Sequence, residues 1–153
     1  MAEIPAGMLD DSGTFAGAAA KELEEEVGLK IQEDKLIPLS QLALSSTSSS
    51  ERTGFATAGE EIEEGGMDGY FSGPGLLDEV LTYHAYVHEL DTERELEEWK
   101  GKMTGLRDEG EKITLRIVNF AELWRSTRDS KALCAWGLWE GLKRERKLKW
   151  YKD

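Results

Sequence analysis

The chain has 153 residues, one domain's worth and long enough to bury a core, and 39% hydrophobic with 33% charged residues is an ordinary composition for a soluble domain. Nineteen basic residues against 31 acidic ones give a formal charge of −12, which argues against a nucleic-acid partner, because binding a phosphate backbone needs a basic surface. No apolar run approaches the roughly 20 residues that span a bilayer, so no membrane partner is expected, and no signal-peptide pattern is present.

In chain order, residues 3 to 6 read as the end of a strand entering a turn. Residues 14 to 27 form an amphipathic helix, with Ala16, Ala20, Leu23 and Val27 on the buried face, Ser12 or Thr14 as its cap, and Gly28 where a left-handed terminator is wanted. The segment KLIPLSQLAL, 35 to 44, reads as extended, its proline suggesting an edge or bulge. Residues 45 to 66, rich in Ser, Gly and Glu, are expected to be a flexible loop insertion.

The Gly/Pro turn at 70 to 79 leads into VLTYHAYVH, 80 to 88, whose alternation suggests a strand. His84 and His88 would lie about 13 Å apart on that strand, too far to share a metal. Residues 91 to 102 read as a short polar helix or helical loop, 103 to 112 as an acidic loop, and 112 to 120 as a strand with Ile113, Leu115 and Ile117 on one face. A short helix is expected over 120 to 126. From Asp129 on, Ala132, Ala135, Trp136, Trp139 and Leu142 mark the buried stripe of a longer one. Residues 143 to 153 form a basic tail. Cys134 cannot form an internal disulfide, which fits a reducing, cytoplasmic compartment.

The puzzle is KELEEEVGL, where four glutamates fall within five residues of a helix. At α-helical spacing Glu22, Glu25 and Glu26 share one face, where like charges repel. They would suit a hard divalent cation that prefers oxygen ligands, such as Mg²⁺. They would equally suit a solvated acidic face on which Lys21 pairs with Glu25, and spacing leaves both open.

The surrounding pattern resembles the Nudix hydrolase signature: Gly, five residues, Glu, seven residues, then Arg-Glu-hydrophobic-x-Glu-Glu-x-Gly-hydrophobic. Gly7 is followed, after the same interval, by Lys21-Glu22-Leu23-Glu24-Glu25-Glu26-Val27-Gly28-Leu29. Two positions depart from it. Gly13 stands where the signature has its first Glu, and Lys21 replaces the Arg whose guanidinium fork orients the glutamates. Further along, "EIPAGMLDD", "FSGPGLLDE", "GKMTGLRDEGEKITLRIV" and "ELWRSTRDSKAL" resemble the ADP-sugar and ADP-ribose pyrophosphatase branch.

That resemblance implies an α/β protein, a single Nudix domain over 1–153 folded as an α/β/α sandwich with a mixed β-sheet, here lacking its N-terminal strands. It implies Mg²⁺-dependent hydrolysis of a nucleotide-sugar substrate, ADP-ribose or ADP-glucose, to AMP and a sugar phosphate, with Mn²⁺ as a possible substitute metal. The implied metal ligands are Glu22, Glu25 and Glu26 with the carbonyl of Ala6. Glu25 is also implied in catalysis, and Lys21 is the orienting residue. The general base is expected in LRDEGEK, with Glu109 ahead of Glu111. Glu3, Gly73, Pro74, Gly75 and Glu79 are expected to contact substrate. The family resemblance also implies a homodimer. Two competing readings are UDP-glucose as substrate and a shortened, non-catalytic module that binds metal or a partner.

Overall fold

The structure, a computed structural model, describes residues 2–9, 13–45, 69–106 and 110–148. Helices alternate with small antiparallel strand pairs, as fits an α/β protein. The chain divides into two compact units, Met1–Ile37 with His84–Trp136, and Pro38–Tyr83 with Gly137–Asp153.

In the first unit, Thr14 caps α1 (Phe15–Glu22): its hydroxyl accepts the Gly17 N–H at 2.9 Å and donates to Glu33 Oε2 at 2.8 Å. The expected single α-helix over 14 to 27 is not what forms. After Glu22 the chain widens into a π-helical turn, Leu23–Val27. It closes on a left-handed Gly28 at φ 80, with Gly28 N–H on the Glu24 carbonyl and Leu29 N–H on the Leu23 carbonyl, both at 3.0 Å and each one residue wider than in a Schellman motif.

Downstream in this unit lie β4 (His84–Ala85), α3 (Glu93–Trp99), β5 (Met103–Thr104) and β6 (Ile113–Thr114). Thr92 caps α3 by accepting the Glu95 N–H. β5 and β6 are antiparallel, with Met103 opposite Thr114 and Thr104 opposite Ile113. The strand expected over 112 to 120 is therefore only two residues long. The chain then forms a 3₁₀ turn (Phe120–Glu122) running into α4 (Leu123–Ser126). Asp129, almost fully buried, opens α5 (Ser130–Arg144) by accepting the Lys131 N–H at 3.0 Å. Ala20, Leu36, Ile37 and Ala132 are the buried apolar residues among the described residues here.

His84 is half-buried, and that burial pushes its imidazole below the usual histidine value. His88 is exposed, its ring 6.1 Å from that of Trp99.

In the second unit, the segment expected to be extended is helical from Leu39 to Leu44 (α2). Leu39, Leu42 and Ala43 stand at i, i+3 and i+4, a helical spacing that so short an apolar run does not separate from strand alternation. Ser40 is buried and exchanges two bonds with Tyr83: its N–H donates to the Tyr83 carbonyl at 3.3 Å and its hydroxyl accepts the Tyr83 N–H at 2.8 Å. The hairpin of β2 (Tyr70–Phe71) and β3 (Val80–Leu81) pairs Tyr70 with Leu81 and Phe71 with Val80. The strand expected over 80 to 88 thus breaks into β3 and β4.

Leu39, Tyr83, Leu142 and Leu148 are the buried apolar residues among the described residues of the second unit. Leu39 is 2% exposed, so Leu39→Ala is expected to cost about 2–5 kcal/mol, the range for a cavity left by a fully buried leucine. Urea unfolding followed by circular dichroism checks this. A loss below about 1 kcal/mol would mean that Leu39 does not anchor this unit.

All but Ser45 of the expected insertion at 45 to 66 lies outside the described residues, as do Ser12 and positions 149 to 153 of the tail. Among the described residues no helix is long and apolar enough to cross a membrane.

Candidate functional site

The glutamate-rich turn ends a helix, and helix ends leave backbone carbonyls without partners inside the helix. Here two of them are met from β5 and the residue after it. The Thr104 hydroxyl donates to the Glu26 carbonyl at 2.5 Å, and the Gly105 N–H donates to the Glu25 carbonyl at 3.2 Å. Leu106 then donates its N–H to Glu111 Oε2 at 3.0 Å, and its carbonyl accepts the Glu111 N–H at 3.1 Å. The backbone of the turn and the side chain of Glu111 are thus tied to three consecutive residues.

The N-terminal segment approaches the same turn. Glu22 lies so close to Gly7 that a Cβ there would stand 1.6 Å from Oε1 and 2.7 Å from Cγ. The Ala6 backbone N–H hydrogen-bonds to the Glu26 carboxylate. Further back, the Thr127 hydroxyl donates to the Ala2 carbonyl at 2.6 Å, and Lys131 Nζ, which pairs with Asp129 at 3.1 Å, lies 4.0 Å from Glu3 Oε2. Lys21 Nζ stands 3.9 Å from Glu25 Oε1, the i, i+4 pairing that the spacing allows.

Electrostatics marks the same cluster. Partial burial raises the Glu22 carboxyl above its ordinary value; Glu25 and Glu111 add repulsion and Lys21 offsets some of it. Glu26 is raised by burial first, then by Glu22, Glu111 and Glu3, with the Ala6 N–H working the other way. Both carboxyls take up a proton more readily in the folded protein than in the unfolded chain. They therefore cost stability at neutral pH, and the cost is relieved as pH falls through their raised values.

A cleft of about 550 Å³ opens beside them. Glu26 lines it, as do Ala6, Glu3 and Glu111, whereas Glu22 and Glu25 do not. Lys112 and Arg116 supply positive charge, and Trp99, Ile113 and Leu115 give an apolar wall. Lys102 Nζ sits 5.2 Å over the Trp99 ring, at cation–π distance.

Glu109, expected ahead of Glu111 as the base, lies outside the described residues, as does Asp108. Gly73, Pro74, Gly75 and Glu79 belong to the second unit, at the tip of the β2–β3 hairpin. There Gly73 accepts the Leu76 and Leu77 N–H groups at 3.0 Å, and Glu79 accepts the Ser72 N–H at 3.2 Å. Gly73 is half-buried and the other three are exposed.

The chemistry of the donor set fits a hard divalent cation: it is all oxygen, partly buried, and has raised carboxyls that a positive charge would relieve. Its placement is looser. Among the described residues, no group of three or more Asp, Glu, His or Cys side chains could hold one ion as they stand. Sharing an ion therefore requires glutamates to turn from the rotamers they hold.

Sequence reasoning gave no role to Thr104 or Gly105, nor to the cleft residues Trp99, Lys112 and Arg116. Thr104 and Gly105 fall inside a segment that carries the family resemblance, GKMTGLRDEGEKITLRIV, but nothing in that segment says which carbonyls they meet.

A glutamate-bearing helical turn lies against a glycine segment with a carboxylate-lined cleft beside it, and the chain is similar in sequence to a Nudix hydrolase. The relative is "Nudix hydrolase 14, chloroplastic" of Arabidopsis thaliana, 37% identical over 144 residues, which are 94% of this chain. The chain spans 40% of the length of that relative. No family model matches the chain, and no solved structure matches it.

Proposed function

We propose that this chain is a Mg²⁺-dependent Nudix pyrophosphatase that hydrolyses ADP-ribose or ADP-glucose to AMP and a sugar phosphate. The observation that carries the reading is the cluster itself: Glu22, Glu25 and Glu26 on one turn, within electrostatic reach of Glu111, beside a cleft that also offers Lys112 and Arg116. A pyrophosphate needs its charge met and a water molecule aligned on phosphorus.

Glu22, Glu25, Glu26 and the Ala6 carbonyl would hold the cation, with Mn²⁺ able to replace Mg²⁺. When bound it would supply charge neutralisation between these carboxylates and the substrate phosphates. Lys112 and Arg116 bind and orient the remaining phosphate charge. Glu111, fixed by Leu106, takes the proton of the attacking water as the anhydride P–O bond breaks toward the leaving phosphate. Trp99 and Ile113 exclude water from the wall of the cleft.

The sandwich architecture of the family belongs to this proposal, with the first unit supplying the catalytic turn. The name of the relative places that protein in the chloroplast. A plastid location is thus the alternative to the cytoplasmic one inferred from the single cysteine.

Purified chain is to be incubated with ADP-ribose, ADP-glucose and UDP-glucose, with and without Mg²⁺, and nucleoside monophosphate release measured. Metal-dependent AMP from the ADP-sugars is expected. UMP from UDP-glucose alone would overturn the substrate assignment. No monophosphate from folded protein would overturn the enzyme reading and favour the metal- or partner-binding module, for which Gly13 and Lys21 are the sequence evidence.

A further inference from the structure

Three consecutive residues each hold one glutamate of the cluster. The Thr104 hydroxyl takes the Glu26 carbonyl, the Gly105 N–H takes the Glu25 carbonyl, and the Leu106 N–H takes the Glu111 carboxylate. Thr104 and Glu26 are 78 positions apart in the chain, so no local turn accounts for their bond. Gly105 has φ +90, which strains any side chain, and a Cβ there would stand 3.0 Å from Glu111 Cγ and 3.3 Å from the Glu111 carbonyl, so Glu111 would have to give by a few tenths of an ångström. Thr104 is itself fixed by pairing with Ile113 at the end of β5, which anchors the start of the segment.

We propose that Thr104 is a positioning residue: with Gly105 and Leu106 it sets where the Glu25–Glu26 backbone lies relative to Glu111, and so how well the glutamates can gather around one cation. The inference rests on the proposed function in taking these glutamates as metal-holding. It goes beyond that reading in assigning their spacing to a residue that binds neither metal nor substrate. The hydroxyl is the working group. It meets a carbonyl that the widened turn leaves without a helical partner, and its loss would free the Glu26 end of the turn to shift. Groups that orient metal ligands from behind typically change metal affinity or activity by about 10- to 100-fold when removed.

The test compares wild type with Thr104→Val, which keeps the shape and removes the hydroxyl, and Thr104→Ser, which restores it. Mn²⁺ affinity is read by electron paramagnetic resonance without substrate, at a temperature where circular dichroism shows each protein folded. Thr104→Val is expected to bind Mn²⁺ about tenfold more weakly and to lose about tenfold in kcat with little change in KM, and Thr104→Ser is expected to recover most of both. Should Thr104→Val fail to fold, Thr104→Ala serves as the same hydroxyl deletion. A folded hydroxyl-deletion variant with wild-type Mn²⁺ affinity and kcat overturns the proposal, as does a loss in Thr104→Val that Thr104→Ser does not repair. Wild type that binds Mn²⁺ but releases no AMP overturns the enzyme reading alone, because the affinity comparison still decides the role of Thr104. Wild type that does not bind Mn²⁺ overturns both.

Discussion

Glu26→Gln is expected to lower kcat/KM for AMP release by about 100- to 1,000-fold, the scale for losing one preorganised charged group at a reacting centre. The same substitution is expected to raise the melting temperature at pH 7.5. Glu26 is partly buried and faces repulsion from Glu22, Glu111 and Glu3, which together outweigh the Ala6 N–H. Glutamine keeps an oxygen for that N–H and removes the charge.

The pH dependence gives the sign of this effect a separate check. At neutral pH both the folded and the unfolded wild type carry the Glu26 charge, and only the folded form bears the repulsion. As pH falls through the raised folded value the carboxyl protonates and comes to resemble glutamine. The gain in melting temperature should therefore be present at pH 7.5 and vanish below about pH 4, the ordinary carboxyl range. Scanning calorimetry across that range decides it. A loss of melting temperature at pH 7.5 would mean that the Ala6 bond, and not repulsion, governs this side chain. A site that costs stability where it supplies function is a common arrangement.

Gly7→Ala is expected to reduce activity by about 10- to 100-fold while leaving the fold intact. The Cβ would overlap the Glu22 carboxyl at 1.6 Å from Oε1 and 2.2 Å from Cδ, and Cγ at 2.7 Å leaves the side chain no small adjustment. Glu22 must turn away from the cluster. Gly7 is itself exposed, and alanine narrows the unfolded ensemble, so stability should stay level or rise by up to about 1 kcal/mol. The decisive comparison is a double-mutant cycle with Glu22→Gln. If Gly7 acts through Glu22, the double variant will be no worse than Glu22→Gln alone. Additive losses would place the role of Gly7 elsewhere.

Helices whose ends are written in short-range chemistry were legible in the sequence. Thr14 and Gly28 bracket the glutamate helix as their capping preferences predict, the polar helix at 93 to 99 falls within the segment read as helical or a helical loop, and the long one from 130 falls where periodicity puts it. The interior of the first helix was not legible, because Leu23 and Val27 fit the buried face of an α-helix whether or not the turn between them is widened. The helix at Leu39–Leu44 was missed because six residues do not separate the two periods. In the site, the glutamates were visible as a spacing and a family pattern. That Glu26 lines the cleft while Glu22 and Glu25 do not depends on side-chain placement that a wheel drawn at 3.6 residues per turn cannot give. Thr104 and Gly105 were invisible as partners because a hydroxyl or an N–H that meets a carbonyl 78 or 80 positions away leaves no trace in local composition.

The widened turn at Leu23–Val27 also bears on how the chain tolerates insertion and deletion. A π-helical turn is an α-helical turn holding one extra residue. Removing a residue there, such as the exposed Glu24, would relax the segment to ordinary helix with little net rotation of what precedes it, because the widened turn has already absorbed one residue more than an α turn holds. Glu22 would then stay near Gly7 while Glu25 and Glu26 kept their anchors on β5 and Gly105. The turn thus works as slack in the helix: the loss of one residue is taken up where it occurs, whereas the same loss inside the regular turns of α1 would swing the residues before it by about 100°.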